Sequence, residues 1–139
     1  MKNVILILIV MFFVGCSKSD PVNGDASGNF IGNYEYAIAS PLGFVSKYSW
    51  IVERRSANVI DLDMTKVIVR SDGSQTKSRD LVTEVEITDA KKLDFSYINM
   101  NGRFVQVSVL AAPEKLTVSS VALQGDDATH LKWYEFDKR

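Results

Sequence analysis

Beyond Phe30 the chain alternates apolar and polar residues with a period of two, the pattern of strands with one buried and one open face. Tyr34, Tyr36 and Ile38 share one face of a first segment, and Tyr48, Trp50 and Val52 share one face of a second. Ile60, Leu62 and Met64 follow. At Val67 and Val69 the apolar phase slips by one residue, which predicts a turn or bulge near Thr65. Leu81, Thr83, Val85 and Ile87 alternate against Glu84 and Glu86 and so predict a clear inside and outside. Leu93, Phe95 and Tyr97 form a further face, as do Val105, Val107 and Val109. Between Leu116 and Leu123 the phase shifts around Ser119-Ser120, which predicts a second bulge. The last segment carries Leu131 and Trp133 on one side and Tyr134 and Phe136 on the other, and is expected to be covered on both faces.

Turn chemistry separates these segments. Asp72-Gly73 and Asn101-Gly102 supply the positive φ of tight hairpins, and Ser40-Pro41-Leu42-Gly43, Asp89-Ala90, Ala112-Pro113 and Gly125-Asp126-Asp127 are further breaks. Closely spaced hairpins imply sequential antiparallel pairing. Apolar spacing of 3.6 is missing from this part of the chain, so no helix longer than two turns is expected. The pattern predicts an all-β domain over residues 30–139: an antiparallel meander of about eight strands closed or nearly closed into a small barrel, with a β-sandwich as the alternative. Closure removes both sheet edges, which suits a domain that has no disulfides.

The first residues follow another rule. Lys2 precedes an unbroken apolar run from Val4 to Val14, and the small Gly15 follows, which are the three parts of a secretory signal. A spanning helix needs roughly 18 or more apolar residues, and this run stops well short of that. The chain's single cysteine, Cys16, comes next. Phe13-Val14-Gly15-Cys16 resembles the lipobox of bacterial lipoproteins, with Phe13 in place of the usual Leu. The resemblance implies a signal peptide over residues 1–15, diacylglycerol on the Cys16 sulfur, cleavage before Cys16 and acylation of the new amine with a fatty acid such as palmitate. Three acyl chains would hold the protein at a membrane surface almost irreversibly, since each buried methylene adds about 0.8 kcal/mol. Ser17, rather than Asp, after the cysteine implies the outer membrane, on either its periplasmic or its cell-surface side. Residues 16–29, rich in Ser, Asn, Gly and Asp, have the composition of a flexible lipidated tether reaching about 20 Å.

Removing residues 1–15 leaves 124 of the 139 residues, the length of one domain and large enough to bury a core. Disulfides are excluded by the cysteine count. The formal net charge of −1 is near neutral and no basic block stands out, so no nucleic-acid partner is expected.

For catalysis the residues offer little. His130 is the only histidine, so a His-rich metal site or a histidine triad has no second member, and it reads as a surface strand residue. Glu84 with Glu86, and Asp61 with Asp63, fall on solvent faces, and Asp126-Asp127 fits a turn better than a metal site. An enzyme is not expected, nor is any metal or cofactor beyond the covalent lipid. Tyr34, Tyr36, Tyr48, Trp50, Phe95, Tyr97 and Trp133 all fall at inward positions in this register. A small barrel is wide enough either to be packed solid by such rings or to hold one small ligand. The candidate ligand-binding residues are Tyr36, Trp50, Phe95, Tyr97 and Trp133.

Phe30-Ile31-Gly32-Asn33-Tyr34 resembles the Gly-x-Trp opening of lipocalin-like (calycin) domains, with Tyr34 in place of Trp. Domain length, strand count and an aromatic last strand ending in basic residues are similar too. The resemblance implies a lipocalin-like barrel. The expectation is therefore a non-enzymatic, membrane-anchored envelope lipoprotein whose barrel binds a small, partly apolar ligand. The alternative is a protein-binding or assembly module of the cell envelope with a solid β core.

Overall fold

The computed structural model describes residues 24–124 and 127–139, with side chains over the same ranges except 121–131. Eight antiparallel strands follow one another: β1 (Gly32–Ala39), β2 (Val45–Ser56), β3 (Val59–Val69), β4 (Gln75–Glu86), β5 (Lys92–Ile98), β6 (Phe104–Ala112), β7 (Lys115–Gln124) and β8 (Asp127–Lys138). They form one sheet in the order β4-β3-β2-β1-β8-β7-β6-β5, a meander rolled into a nearly closed barrel. The barrel is the expected architecture, and the sandwich is not formed. Helix among the described residues is limited to the 3₁₀ turn Ala26–Asn29.

The barrel is closed unevenly. β2 and β3 pair along nearly their whole length, from Val45↔Val69 to Ser56↔Val59. β1 and β8, from opposite ends of the domain, share two register pairs, Tyr34↔Lys138 and Glu35↔Asp137. β4 and β5 are consecutive in the chain yet are the two edges of the sheet. A backbone-to-side-chain bond spans this seam, the Met100 N–H donating to Asp80 Oδ1 at 2.8 Å.

The two ends of the barrel differ. At the base, Ala26, Ser27 and Phe30 are buried, so packed structure begins within the segment whose composition reads as tether. The Ser27 N–H donates to the Ala57 carbonyl and Asn29 Nδ2 to the Ala90 carbonyl, each joining the turn to a loop at the same end. Arg54 pairs with Asp25 beside it. Tyr34 is 2% exposed, with Lys138 Nζ 5.8 Å from its ring centroid. A Cβ on Gly32 would come within 2.6 Å of Lys138 Cε, so glycine there lets the last strand's lysine lie across Tyr34.

At the opposite end, the β1–β2, β3–β4 and β5–β6 hairpins share one construction. Gly43, Gly73 and Gly102, at φ of +81°, +81° and +74°, each donate an N–H to the carbonyl three residues back, on Ser40, Arg70 and Asn99. Each is a turn closed by one left-handed glycine, so the dipeptides Asp72-Gly73 and Asn101-Gly102 supply one positive φ rather than two.

Three expectations of phase are corrected. β3 pairs with β2 without a break from Val45↔Val69 to Arg54↔Ile60, so there is no bulge at Thr65. Its inward face runs Ile60, Leu62, Met64, Lys66, Ile68, and the apparent slip arises because Lys66 occupies an inward position. In β4 the register shifts opposite Ile60–Leu62, and Glu84 takes a φ of +60° with its N–H donating to Asp61 Oδ1 at 2.8 Å. Val85 and Ile87 are buried, but Leu81 and Thr83, before the bulge, face out, and Val82 packs on the core. In β7 the predicted shift at Ser119-Ser120 is a break in the pairing with β8, between Ser120↔Lys132 and Ala122↔Thr129, with the extra residue on β8.

Candidate functional site

The barrel interior is layered. Near the base it is aliphatic, with Ile60, Leu93, Val109, Leu116 and Val118 almost fully buried. Above them sits a connected set of rings. Trp50 and Phe136 have centroids 5.0 Å apart, Tyr48 and Tyr134 also 5.0 Å, and Tyr36 and Tyr134 5.2 Å. Phe95 meets Trp50 at 6.4 Å and stacks on Tyr97 at 6.1 Å. Such spacings are those of packed aromatic pairs, so the middle of the barrel is filled by side chains.

Toward the hairpin end the apolar alternation gives way inside the barrel. The strand positions that continue the inward faces are Lys66, Ser78, Asp80, Ser120 and Lys132. They surround a cavity of about 510 Å³, with the rings of Tyr48, Tyr97 and Tyr134 toward the aromatic layer and Asn99 and Arg103 at the rim. That volume lies within the ordinary range of small-molecule sites. Lys66 Nζ lies 5.4 Å from the Tyr48 ring centroid, a cation held over an aromatic face.

Burial sets the chemistry of the phenols. Burial, reinforced by the nearby Asp80 carboxylate, pushes the Tyr97 hydroxyl up to about 12. Burial and the adjacent Tyr48 hydroxyl push Tyr134 upward as well. Both phenols are therefore protonated donors at neutral pH.

The five candidate ligand-binding residues are distributed differently from expectation. Tyr97 lines the cavity. Tyr36 belongs to the aromatic layer and borders a separate groove of about 590 Å³ over β1, β2 and β3. Trp50 is 7% exposed and lies within the core, while Phe95 is half-buried against it. Trp133 faces outward: it is 63% exposed, paired with Ser119 on the outer surface, so β8 is covered on one face and not on both. Lys66, Asp80, Asn99, Arg103 and Lys132 border the cavity although the alternation pattern does not single them out, and Tyr134 borders it from the face it shares with Phe136. Continuing the phase of Ile60, Leu62 and Met64 for one more step would have placed Lys66 inside.

The carboxylates on the outer wall have structural partners. Arg79 holds Asp63 through two bonds of 2.8 and 2.6 Å, which keeps that carboxyl below the usual range. Arg55 bridges Asp61 and Glu84 across the β4 bulge. Among the described residues no group of three His, Cys, Asp or Glu side chains is placed to hold a metal ion. Cys16 and the lipobox lie outside the described residues, as do the side chain of His130 and the pair Gly125-Asp126. No protein-family model and no curated protein matches the chain.

Proposed function

We propose that this is a lipid-anchored lipoprotein of the bacterial outer membrane that binds a small, partly apolar molecule in the open end of a lipocalin-like barrel, without catalysing a reaction. The observation that carries the binding reading is the cavity of about 510 Å³ above the Tyr48, Tyr97 and Tyr134 rings, which joins apolar area to hydrogen-bonding groups. The lipocalin-like reading is supported by the Gly32-Asn33-Tyr34 opening and by the basic end of the last strand, where Lys138 lies against Tyr34 beside Gly32. Anchoring rests on Phe13-Val14-Gly15-Cys16. The chain enters the barrel at its base, through Asp25 and the Ala26–Asn29 turn, so a tether from Cys16 joins the end opposite the cavity. An anchored molecule then holds its opening away from the attachment point.

Two measurements test this. Mass analysis of the protein from its native membranes should find a mature chain that begins at an acylated Cys16; any other N-terminus overturns the anchor. Titrating the Trp133→Phe protein with a panel of fatty acids and aromatic dyes should shift the emission of Trp50, which lies beneath the cavity. An unchanged spectrum throughout argues for a solid barrel. That second reading, an envelope protein-binding module, draws on the exposed apolar side chains Leu81, Ile98, Met100 and Phe104 near the β4–β5 seam. Under it, crosslinking in intact membranes should capture one partner, and capture should fail when Leu81 and Ile98 are changed to Ser.

A further inference from the structure

Lys66 is an expensive residue where it stands. Its strand neighbours on the inward face are Met64 and Ile68, and its partners across the sheet are Tyr48 and Ser78. Lysine is among the side chains least often found inside a barrel wall unless it has a partner. Several cations elsewhere have carboxylates: Arg55 with Asp61 and Glu84, Arg79 with Asp63 and Arg139 with Glu35 on the outer wall, and Arg54 with Asp25 at the base, while Lys47, Arg70 and Lys91 form no ion pair among the described residues. Among the described residues Lys66, Arg103 and Lys132 form no ion pair, and all three border the cavity.

The balance of charge at the cavity is one-sided. Lys77 also borders it, but its charge acts on Asp63 outside, where it helps to lower that carboxyl. Among the described residues Asp80 is the one carboxylate at the site, and its Oδ1 accepts a hydrogen bond from the Met100 N–H across the seam. Among the described residues three cations thus face one carboxylate, and the phenols of Tyr97 and Tyr134 add neutral donors. Such a set has positive charge in excess, which fits a ligand that brings negative charge.

We propose that the molecule bound in this barrel is an organic anion, with its carboxylate or phosphate against Lys66 and its apolar portion on the Tyr48, Tyr97 and Tyr134 rings. This rests on the small-ligand reading above and narrows it: a neutral lipid or sterol would leave Lys66 without a counter-charge. Arg103 and Lys132 at the rim raise the local concentration of anions and share the charge once one is bound.

The test uses the full chain in lipid nanodiscs, with empty nanodiscs as the blank, and ligand-observed fluorine NMR. The probes are 4-fluorobenzoate, 4-fluorophenyl phosphate and the uncharged 4-fluorobenzamide, which have the same ring. Both anions should bind at least tenfold more tightly than the amide, and the difference should shrink as salt is raised from 0.05 to about 0.5 M, as expected for a partly exposed charge contact. Lys66→Met should abolish the preference and Lys66→Arg should keep it, with unchanged Trp50 emission and thermal unfolding showing that both variants are folded. Equal binding of amide and anions overturns the anion assignment and leaves the small-ligand reading standing. Failure of all three probes to bind overturns both. An anion preference that survives in a folded Lys66→Met protein removes Lys66 from the site.

Discussion

Single residues decide how this barrel departs from a plain alternation of apolar and polar positions. Lys66 is inward where the pattern asks for an aliphatic, and Trp133 is outward where the pattern offers its largest ring. Neither placement is visible to hydrophobicity alone. A cavity needs polar groups facing in, and β8 is a strand on which apolar residues occur in both phases. Tyr97 shows the same environment acting on a titration. Its folded value of about 12 lies above the ordinary phenol value of 10.0, so the folded state keeps the proton that the unfolded chain releases first. This contribution to stability is fully present below pH 10 and is lost as the pH rises toward 12. In an ultraviolet alkaline titration, the phenol signal should include a late step near pH 12 that is missing from Tyr97→Phe. A Tyr97→Phe profile that instead loses its amplitude near pH 10 would mean that the phenol is solvated.

Among elements, the turns were the most legible part of the sequence. The glycines at 43, 73 and 102 fall where the hairpins turn, because only a residue without a Cβ takes their left-handed conformation at no cost. Strand existence was legible for the same kind of local reason. Strand phase was not, in β3, β4 and β8, where a polar inward residue or a bulge breaks a period that two-residue counting takes as unbroken. The aromatic layer was legible as a set of rings, but which rings border open space depends on long-range register. The base turn is illegible for another reason: Ala26-Ser27-Gly28-Asn29 has the composition of a linker, and it is held in place by hydrogen bonds to the carbonyls of Ala57 and Ala90, far along the chain. Phe30, 1% exposed, is its principal apolar contribution. Phe30→Ala should destabilise the protein by about 3–5 kcal/mol, the usual range for deleting a buried ring, and urea unfolding followed by Trp50 emission would measure it. A loss below about 1 kcal/mol would show that the turn can leave the base without disturbing the barrel.

At the scale of the molecule, two four-stranded meanders, β1–β4 and β5–β8, meet along two lines of unequal kind. One is the two-pair ladder Tyr34↔Lys138 and Glu35↔Asp137, and the other is the β4–β5 seam, where the sheet has its edges. Amide protection should follow this division. Hydrogen exchange read by mass spectrometry should find seam-facing amides of β4 and β5 exchanging about a hundredfold faster than those of β2 and β7, whose ladders are paired on both sides. Equal protection would mean that the edges are joined in solution. The narrow β1–β8 joint bears on how the chain reaches this shape. Each meander is a stack of neighbouring hairpins, so its contacts are local and rapid to form, whereas Tyr34 can meet Lys138 only by closing a loop that spans the domain. The halves should therefore zip up first, leaving their docking as the slow kinetic event.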